Sequence, residues 1–297
     1  MCPGGRGPTP CPGGRGGSSG PPPRPFAFTS SAGHALAGTL VPPPTGSASP
    51  ASYAILLHGL NSHRDDSILP ALASRLQAEA GVGSLRYDAA GNGASGGPFR
   101  FANYEEEAAD VARAVAALQA AEAGAQVVAV AGHSKAGTVA VLAAAALSLP
   151  LCINLAGRFH LDTGLEARFG EGLEGRLAGA GGAGLPVTWR RGGQPFTWRL
   201  TASDVAARRG PTAVDVGRAC ASLPASTSVL HVHGSEDGVV PVREVEAYAA
   251  SSGHCAASEV VIIPGGDHNF TTPGCAAAAV EAVVRFVAGR MPDKTGV

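Results

Sequence analysis

The amino-acid sequence predicts an α/β protein with a mainly parallel central sheet flanked by helices. Short apolar runs, typical of strands buried on both faces, alternate along the chain with segments of helical spacing. This alternation stops between residues 157 and 222, a segment that contains a glycine-rich patch and both tryptophans. We interpret that segment as a cap inserted after the sixth strand, over the carboxyl end of the sheet.

The predicted elements form one domain from residue 26 to 289, between a tail of residues 1–25 and a short tail of residues 290–297. Strands are predicted at Phe26–Thr29, His34–Val41, Tyr53–Leu57, Val82–Tyr87, Val127–Ala131, Leu151–Leu155, Val229–Val232 and Glu259–Ile263. Helices are predicted at Ile68–Ala80, Asn103–Gly124, Lys135–Leu147, Pro241–Ala250 and Ala276–Gly289. We expect Asn103 to cap its helix, with Glu106 as its partner in a capping box.

Composition allows a sizeable core and gives no indication of nucleic acid or a membrane as partner. Hydrophobic residues make up 45% of the chain, charged residues 15%, and the formal net charge is −1, so no basic surface is indicated. No apolar run reaches the roughly 20 residues of a membrane span. The six cysteines are scattered without a C-x-x-C pair, which indicates free thiols rather than a disulfide framework or a zinc site. The oligomeric state is not indicated.

The N-terminal segment of residues 1–25 is rich in proline, glycine, serine and arginine, and it has no apolar stretch of the kind found in secretory signals. We interpret it as a disordered tail and expect a cytoplasmic protein. The alternative is import into an organelle through this tail, because a transit peptide shares its basic, acid-poor bias.

A serine lies where a buried strand runs into a helix, in the segment VVAVAGHSKAG (Val127–Gly137). A sharp turn at such a junction exposes the serine hydroxyl above the sheet and needs small neighbours. Gly132 is one of them, and Ala136 stands where the pattern G-x-S-x-G has its second glycine. Ser134 is therefore the candidate nucleophile, and the alternative is a structural serine. A phosphate-binding loop is disfavoured because Lys135 precedes the glycine.

A serine hydroxyl needs a base to become an effective nucleophile, and His268 is the best-placed histidine. It lies in the loop after the last predicted strand, within IIPGGDHNF (Ile262–Phe270). The other histidines considered fit this role less well. His231 and His233 lie in or at the end of a strand, His133 is adjacent to the serine, and His254 lies in a polar loop.

The acid that orients this base should follow another strand of the sheet. The turn after Val229–Val232 contains two carboxylates, Glu236 and Asp237, and either one can serve. The bland alternative is an ordinary acidic turn.

Two backbone amides are candidates for stabilising the negative charge on a reacting carbonyl oxygen. The amide of Lys135 directly follows the nucleophile. The amide of Leu60 lies in the loop after Tyr53–Leu57, where Gly59 permits the chain to turn. Otherwise this loop is a simple strand end.

Gly91–Gly96 matches G-x-G-x-x-G, the pattern of a dinucleotide-binding loop. Such a loop must open a helix directly, whereas here Pro98 intervenes and the next helix begins near Asn103. We therefore interpret the segment as a tight structural loop led by Asp88, and we expect neither a cofactor nor a metal.

Together these segments resemble the α/β-hydrolase superfamily, and they are most similar to its serine-aminopeptidase-like and cinnamoyl-esterase-like branch, including uncharacterised plant-type members. The similarity covers roughly residues 26–289 and is carried by LLHGLNSHRDD (Leu56–Asp66), YDAAGNGASGG (Tyr87–Gly97), GHSKAG (Gly132–Gly137), INLAGRFHLDTGLEARFG (Ile153–Gly170), HGSEDGVVP (His233–Pro241) and GGDHNF (Gly265–Phe270). It implies the α/β-hydrolase fold, with a triad in the chain order Ser134, Asp237, His268. It also implies an oxyanion hole at Leu60 and Lys135.

We expect a carboxylic-ester hydrolase that acts on a small-molecule acyl substrate through an acyl-enzyme on Ser134. A peptidase or thioesterase with the same triad, or a non-catalytic ligand-binding protein on this scaffold, are the alternatives. An aminopeptidase would need acidic groups near the substrate amine, and the cap offers three: Glu166, Glu171 and Glu174. Three aromatic residues of the cap either shape the acyl pocket or form the cap's own core: Phe159, Trp189 and Trp198.

Overall fold

The computed structural model describes residues 20–46, 50–191 and 193–291, and an eight-stranded sheet forms its centre. The strands of this sheet are β1 (Arg24–Thr29), β2 (Ala35–Val41), β3 (Ser52–Leu57), β4 (Gly83–Tyr87), β5 (Gln126–His133), β6 (Leu151–Leu155), β9 (Ser228–Gly234) and β10 (Ala257–Ile263). Two further strands, β7 (Leu185–Arg191) and β8 (Gln194–Leu200), pair with each other in the segment between β6 and β9.

The spatial order of the central sheet is β1-β2-β4-β3-β5-β6-β9-β10. The six strands from β4 to β10 are parallel, and β1 and β2 are added in antiparallel fashion at one edge. Parallel strands end at the same edge of a sheet, so the loops after β3, β5, β9 and β10 emerge side by side. The α/β-hydrolase fold expected from the sequence is therefore confirmed.

Helices cover both faces of the sheet, which explains why its strands read as continuous apolar runs. The helices are α1 (Leu69–Arg75, continued by a π-helical turn at Leu76–Ala80), α2 (Tyr104–Ala121), α3 (Lys135–Leu147), α4 (Leu165–Phe169), α5 (Leu173–Ala180), α6 (Ala202–Ala206), α7 (Val216–Ala221), α8 (Glu244–Ser251) and α9 (Cys275–Ala288). Buried residues of α2 and α3 form one core with one face of the sheet, and those of α1 and α9 form a second core on the other face.

The cap insertion after β6 contains α4 to α7 and the hairpin of β7 and β8. The sequence pattern does not predict the two strands of this hairpin. Its strands alternate between exposed and more buried residues, because only one side of the hairpin packs on the rest of the molecule. The six rings of Phe99, Phe101, Phe169, Trp189, Phe196 and Trp198 form an aromatic cluster beneath it.

Two local expectations are corrected by the structure. Order was expected from Phe26, but β1 begins at Arg24, which pairs with Leu40 and binds Glu122 through its guanidinium group. Most of the expected N-terminal tail, residues 1–19, and residues 292–297 of the C-terminal tail lie outside the described residues. Asn103 precedes α2 as predicted, but its side chain makes no capping hydrogen bond, because it accepts one from the ammonium group of Lys135 at 2.5 Å.

The cysteines within the described part of the chain, Cys152, Cys220, Cys255 and Cys275, are free thiols, as expected. Among the described residues, no helix combines the length and the apolar character needed to cross a membrane. Nor does any group of three or more His, Cys, Asp or Glu side chains in these residues have a metal-binding arrangement.

A buried histidine in β9 links three elements of the fold. His231 is completely shielded from solvent; its Nδ1 accepts a hydrogen bond from Asn154 at 3.2 Å, and its Nε2 donates one to Ser252 at 3.1 Å. Burial lowers the pKa of His231 from 6.5 to about 4, because the imidazolium form loses its hydration. The imidazole is therefore neutral in the folded protein at pH 7.

This buried imidazole should make the protein sensitive to acid. As the pH falls from 6.5 toward 4, the unfolded chain takes up a proton at His231 before the folded chain does, so folding stability is lost in that window. Replacing His231→Gln removes this contribution. We expect the variant to have a lower free energy of unfolding than wild type at pH 8. At pH 5 the difference between wild type and variant should be about 2 kcal/mol smaller than at pH 8. Urea denaturation at both pH values measures it, and an unchanged difference would contradict a neutral, buried imidazole.

Candidate active site

The serine proposed from the sequence lies at a strained turn between β5 and α3. Ser134 has φ 57° and ψ −119°, a backbone conformation that non-glycine residues rarely adopt. A Cβ atom at Gly132 would lie 1.8 Å from the carbonyl oxygen of Ala136, so glycine is required there. Ala136 itself is buried, and the turn forms with alanine in the place of the second glycine.

Three side chains from three different loops form one chain of hydrogen bonds. His268 Nε2 lies 2.8 Å from the Oγ of Ser134, and His268 Nδ1 lies 2.7 Å from the Oδ2 of Asp237. These residues follow β5, β9 and β10 at the carboxyl edge of the sheet. The base therefore contacts the hydroxyl with one ring nitrogen and the carboxylate with the other, which is the geometry of an activated serine.

The carboxylate of Asp237 is fully buried and saturated with donors. Its Oδ1 accepts the backbone N–H groups of Val239 and Val240, both at 2.8 Å, while Oδ2 faces His268 and His233. Burial by itself would raise the pKa of Asp237, but the hydrogen bonds from His233 and His268 outweigh it and hold that pKa well below its usual range. Glu236, the other carboxylate of this turn, is exposed and does not contact the histidine.

Two histidines that the sequence did not single out support this arrangement. His233 lies at the end of β9, with Nε2 at 3.2 Å from Oδ2 of Asp237 and at 2.9 Å from the carbonyl of Val240. His133 precedes the serine and donates from Nε2 to the carbonyl oxygen of His268 at 2.8 Å. Burial, and then the charge of His268, lower the pKa of His133 to about 4. The His-Gly pair that begins HGSEDG was the available signal for His233, whereas nothing in the sequence indicated a role for His133.

The two proposed oxyanion donors lie beside the serine. Leu60 and Lys135 line the same cavity as Ser134, and a Cβ atom at Gly59 would lie 3.1 Å from the Cβ of the serine. The loop that carries Leu60 is fixed by His58, which accepts a hydrogen bond from Ala89 N–H at Nε2 and donates one to the Gly59 carbonyl from Nδ1. The amide of Lys135 begins α3, where the helix dipole favours negative charge.

The family is decided by comparison with known proteins. The sequence profile of the alpha/beta hydrolase family matches residues 54–283. This chain belongs to the alpha/beta hydrolase family. A search of curated protein sequences finds no match.

Solved structures with the same fold include several esterases. The chain is 21% identical to the esterase Est1E from Butyrivibrio proteoclasticus, whose structure contains ferulic acid; the match covers 89% of this chain and 98% of Est1E, with a TM-score of 0.67. It is 18% identical to the Pyrococcus furiosus esterase Pf2001, covering 91% of this chain and 92% of that one, with a TM-score of 0.67. The alpha/beta hydrolase GrgF from Penicillium sp. sh18 is 20% identical, with coverage of 91% and 99% and a TM-score of 0.69. At these identities the likeness establishes the fold alone.

The glycine-rich segment of this hydrolase is a structural loop, as its sequence context indicated. The carboxylate of Asp88 accepts the N–H of Arg64 at 2.7 Å and that of Ala94 at 2.8 Å, and it pairs with the Arg64 guanidinium. Gly93 has φ 49°, and a Cβ atom there would lie 2.2 Å from an Asp88 oxygen. The glycine therefore makes room for the carboxylate that ties the loop together.

A cavity of about 300 Å³ opens above the serine. Phe101 and Tyr104 from the N-terminal side of α2 line it, together with Arg158, Arg168 and Arg208 of the cap. The aromatic residues expected to shape the acyl pocket lie outside the lining. Trp189 and Trp198 pack in the aromatic cluster with ring centroids 4.9 Å apart, and Phe159 packs on Tyr248. These residues are thus core rather than pocket lining, but the core is shared between the cap and Phe99, Phe101 and Tyr248 outside it, so neither interpretation holds as stated.

The side chain of Lys135 is buried beneath the proposed oxyanion site. Its Nζ lies 2.7 Å from Oε1 of Glu107 in α2, and the two side chains are only 6% and 12% exposed. Nζ also binds Asn103 and lies 5.5 Å from the ring of Tyr104. This ion pair therefore attaches the start of α3 to the start of α2.

Breaking this pair should be costly because one charge would remain buried without its partner. We expect Lys135→Met to lower the free energy of unfolding by about 3–5 kcal/mol, measured by urea denaturation at pH 7.5. The double variant Lys135→Met/Glu107→Leu should recover part of that loss. The matched control is Arg100→Met, which removes an exposed ion pair with Glu106 of α2, the helix that also carries Glu107. This variant should lower the free energy of unfolding by less than about 1 kcal/mol. Purely additive losses in the double variant would contradict a coupled pair.

Proposed function

We propose that this hydrolase is a serine carboxylic-ester hydrolase that forms an acyl-enzyme on Ser134. The observation that carries the proposal is the hydrogen-bonded chain from Asp237 through His268 to a serine on a strained turn. This geometry supplies a nucleophile, a base in contact with it and an acid that fixes the base. The esterases among the structural neighbours support the same reaction class.

In the proposed acylation step, Ser134 attacks the ester carbonyl while His268 Nε2 takes the hydroxyl proton. The carbonyl oxygen becomes an oxyanion, and the amides of Leu60 and Lys135 stabilise it. Asp237 keeps the Nδ1 proton in place and stabilises the imidazolium. His268 then gives that proton to the leaving alcohol. In deacylation, His268 takes a proton from water, the water attacks the acyl-enzyme carbonyl, and His268 returns the proton to Ser134 as the acid is released.

A peptidase or thioesterase with the same triad is the second candidate. An aminopeptidase would place carboxylates near the substrate amine, but Glu166 and Glu174 are paired with Arg209, and Glu171 is exposed. Asp66 is the carboxylate among the described residues that line the cavity, and Ser62 and Ser67 already bind it. These contacts favour an ester over a peptide with a free amino terminus.

We also propose membership of the serine-aminopeptidase-like and cinnamoyl-esterase-like branch and a cytoplasmic location. The motifs around Leu60, Ser134 and His268 support the branch. The four cysteines in the described part of the chain are free thiols, which supports a reducing compartment, because cysteines in oxidising compartments usually pair.

The first test of the proposed function concerns the nucleophile. Ser134→Ala should remove ester hydrolysis, by roughly a million-fold in turnover as in subtilisin, because the attacking oxygen is gone. It should also abolish labelling by a fluorophosphonate, which wild type should accept at Ser134. Circular dichroism and urea denaturation check that the variant remains folded. Near wild-type turnover in a folded variant would overturn the proposal.

The second test compares the two neighbouring carboxylates. Asp237→Asn should lower turnover by about 10⁴-fold with a small change in KM, because the imidazole loses its orientation and its counter-charge. Glu236→Gln is the matched control; its parent side chain is exposed, so turnover should stay within about two-fold of wild type. Steady-state kinetics of both variants at pH 7.5 decide the roles. A severe loss in Glu236→Gln with an active Asp237→Asn would reverse the assignment.

A further inference from the structure

Three arginines from separate parts of the cap line the cavity above Ser134. Arg158 lies in the loop after β6, Arg168 in α4 and Arg208 just after α6. Arg208 is only 8% exposed, Arg158 is half-buried, and Arg168 is exposed at the mouth. Their positions in the sequence are up to 50 residues apart, so the fold of the cap brings the three charges together.

None of these arginines forms an ion pair with a described residue. Within the described part of the chain, no carboxylate lies within 4.0 Å of the guanidinium nitrogens of Arg158, Arg168 or Arg208. The neighbouring Arg209 shows the contrast, because it binds both Glu166 and Glu174 at 2.7 Å. The three cavity arginines therefore have no ion-pair partner among the described residues, although the more distant Glu244 and Asp237 act on Arg158.

Neutral acceptors hold two of the guanidinium groups in place. Arg158 donates to Oγ1 of Thr163 at 2.8 Å and to the carbonyl of Val239, and Arg208 donates to the carbonyl of Leu161 at 2.7 Å. Arg168 makes no hydrogen bond to any described residue, and its guanidinium lies 5.9 Å from the ring of Trp189. The guanidinium donors of Arg168 therefore have no acceptor among the described residues, and Arg168 lines the cavity.

The three charges are close enough to affect one another. Desolvation lowers the pKa of Arg168, and the positive charges of Arg208 and Arg158 lower it further. Burial and then Arg208 lower the pKa of Arg158, while Glu244 and Asp237 oppose that shift without reversing it. Arginine remains charged under these shifts, so the cavity lining keeps three positive charges that an anion can bind.

We propose that the natural substrate of this cavity is an ester that carries a carboxylate, which Arg158, Arg168 and Arg208 bind while Ser134 attacks the ester carbonyl. Planar guanidinium groups recognise carboxylates with paired, charge-assisted hydrogen bonds. A cationic amine is disfavoured by the same charges. The inference rests on the proposed esterase function and adds the substrate class to it.

The experiment compares esters that differ in one charge. An acyl-side pair is 4-nitrophenyl hydrogen adipate against 4-nitrophenyl heptanoate, and an alcohol-side pair is 4-acetoxybenzoate against methyl 4-acetoxybenzoate. We expect the anionic member of at least one pair to have a kcat/KM about 10-fold or more above its neutral partner, mainly through KM. The pair that shows the preference locates the carboxylate on the acyl or the alcohol side.

Variants of the arginines connect this preference to the cap. Arg168→Gln should lower the anionic-to-neutral ratio of kcat/KM by about 10-fold, because one charge-assisted contact is lost. Arg208→Lys should retain more of the ratio than Arg208→Gln, since the charge is kept. Arg176→Gln is the matched control; this exposed cap arginine binds the carbonyls of Phe169 and Gly170 outside the cavity, and its ratio should equal that of wild type.

The outcomes separate the two proposals. The anionic substrate is excluded, while the esterase proposal stands, in either of two cases. In the first, kcat/KM is equal for the neutral and anionic members of both pairs. In the second, the anionic-to-neutral ratio of kcat/KM is the same in wild type and in every arginine variant. If no ester is hydrolysed and the fluorophosphonate does not label Ser134, the esterase proposal fails. In that case calorimetric titration of the protein with adipate and 4-acetoxybenzoate tests anion binding by itself. Binding that weakens in Arg168→Gln supports the anion site, and no binding to wild type overturns it.

Discussion

The backbone at Ser134 is the constraint on which the arrangement of the site depends. A non-glycine residue at φ 57° and ψ −119° costs on the order of 1–3 kcal/mol, and the strain persists because its surroundings allow no alternative. Gly132 lies against the Ala136 carbonyl, and a Cβ atom at Gly137 would lie 2.2 Å from Asn154 Oδ1. Close packing of α3 on β5 and β6 therefore offsets the strain and holds the hydroxyl at the edge of the sheet.

Hydrogen bonds join the cap to the loops that carry the site. Arg191 at the end of β7 binds Asn61, next to the proposed oxyanion donor Leu60, and also Gly91 and Asn92 in the glycine-rich loop. Its guanidinium lies 3.7 Å from the ring of Phe196. Displacement of the hairpin would thus disturb the loop after β3, which couples substrate access to the geometry beside the serine.

The sequence predicts the elements whose burial follows a simple period, and it predicts less where contacts are long-range. Helix α3 and strand β6 begin and end where their apolar patterns do, since β6 is buried along its whole length and α3 over most of its first ten residues. The hairpin of β7 and β8 is half exposed and gives no continuous apolar run. Asn103 follows the capping rule locally, yet Lys135, 32 residues away, takes its side chain. Ser134 and His268 are recognisable because each lies in the loop after a strand, and so does Asp237, which the family resemblance selects over Glu236. The cavity arginines carry no such local signal.

The separation of charges in the site explains why the cap arginines remain without a counter-ion. Asp237 is the carboxylate of the proposed triad, and two backbone amides and two histidines occupy its acceptor positions. Glu107 is committed to Lys135, and Asp66 to Ser62 and Ser67. Each acidic group around the cavity is therefore bound to a partner of its own, in a position that supports a loop. The positive charge of the cap and the dipole of α3 then act together on whatever occupies the cavity, and both favour negative charge on the bound group and on the oxyanion formed from it.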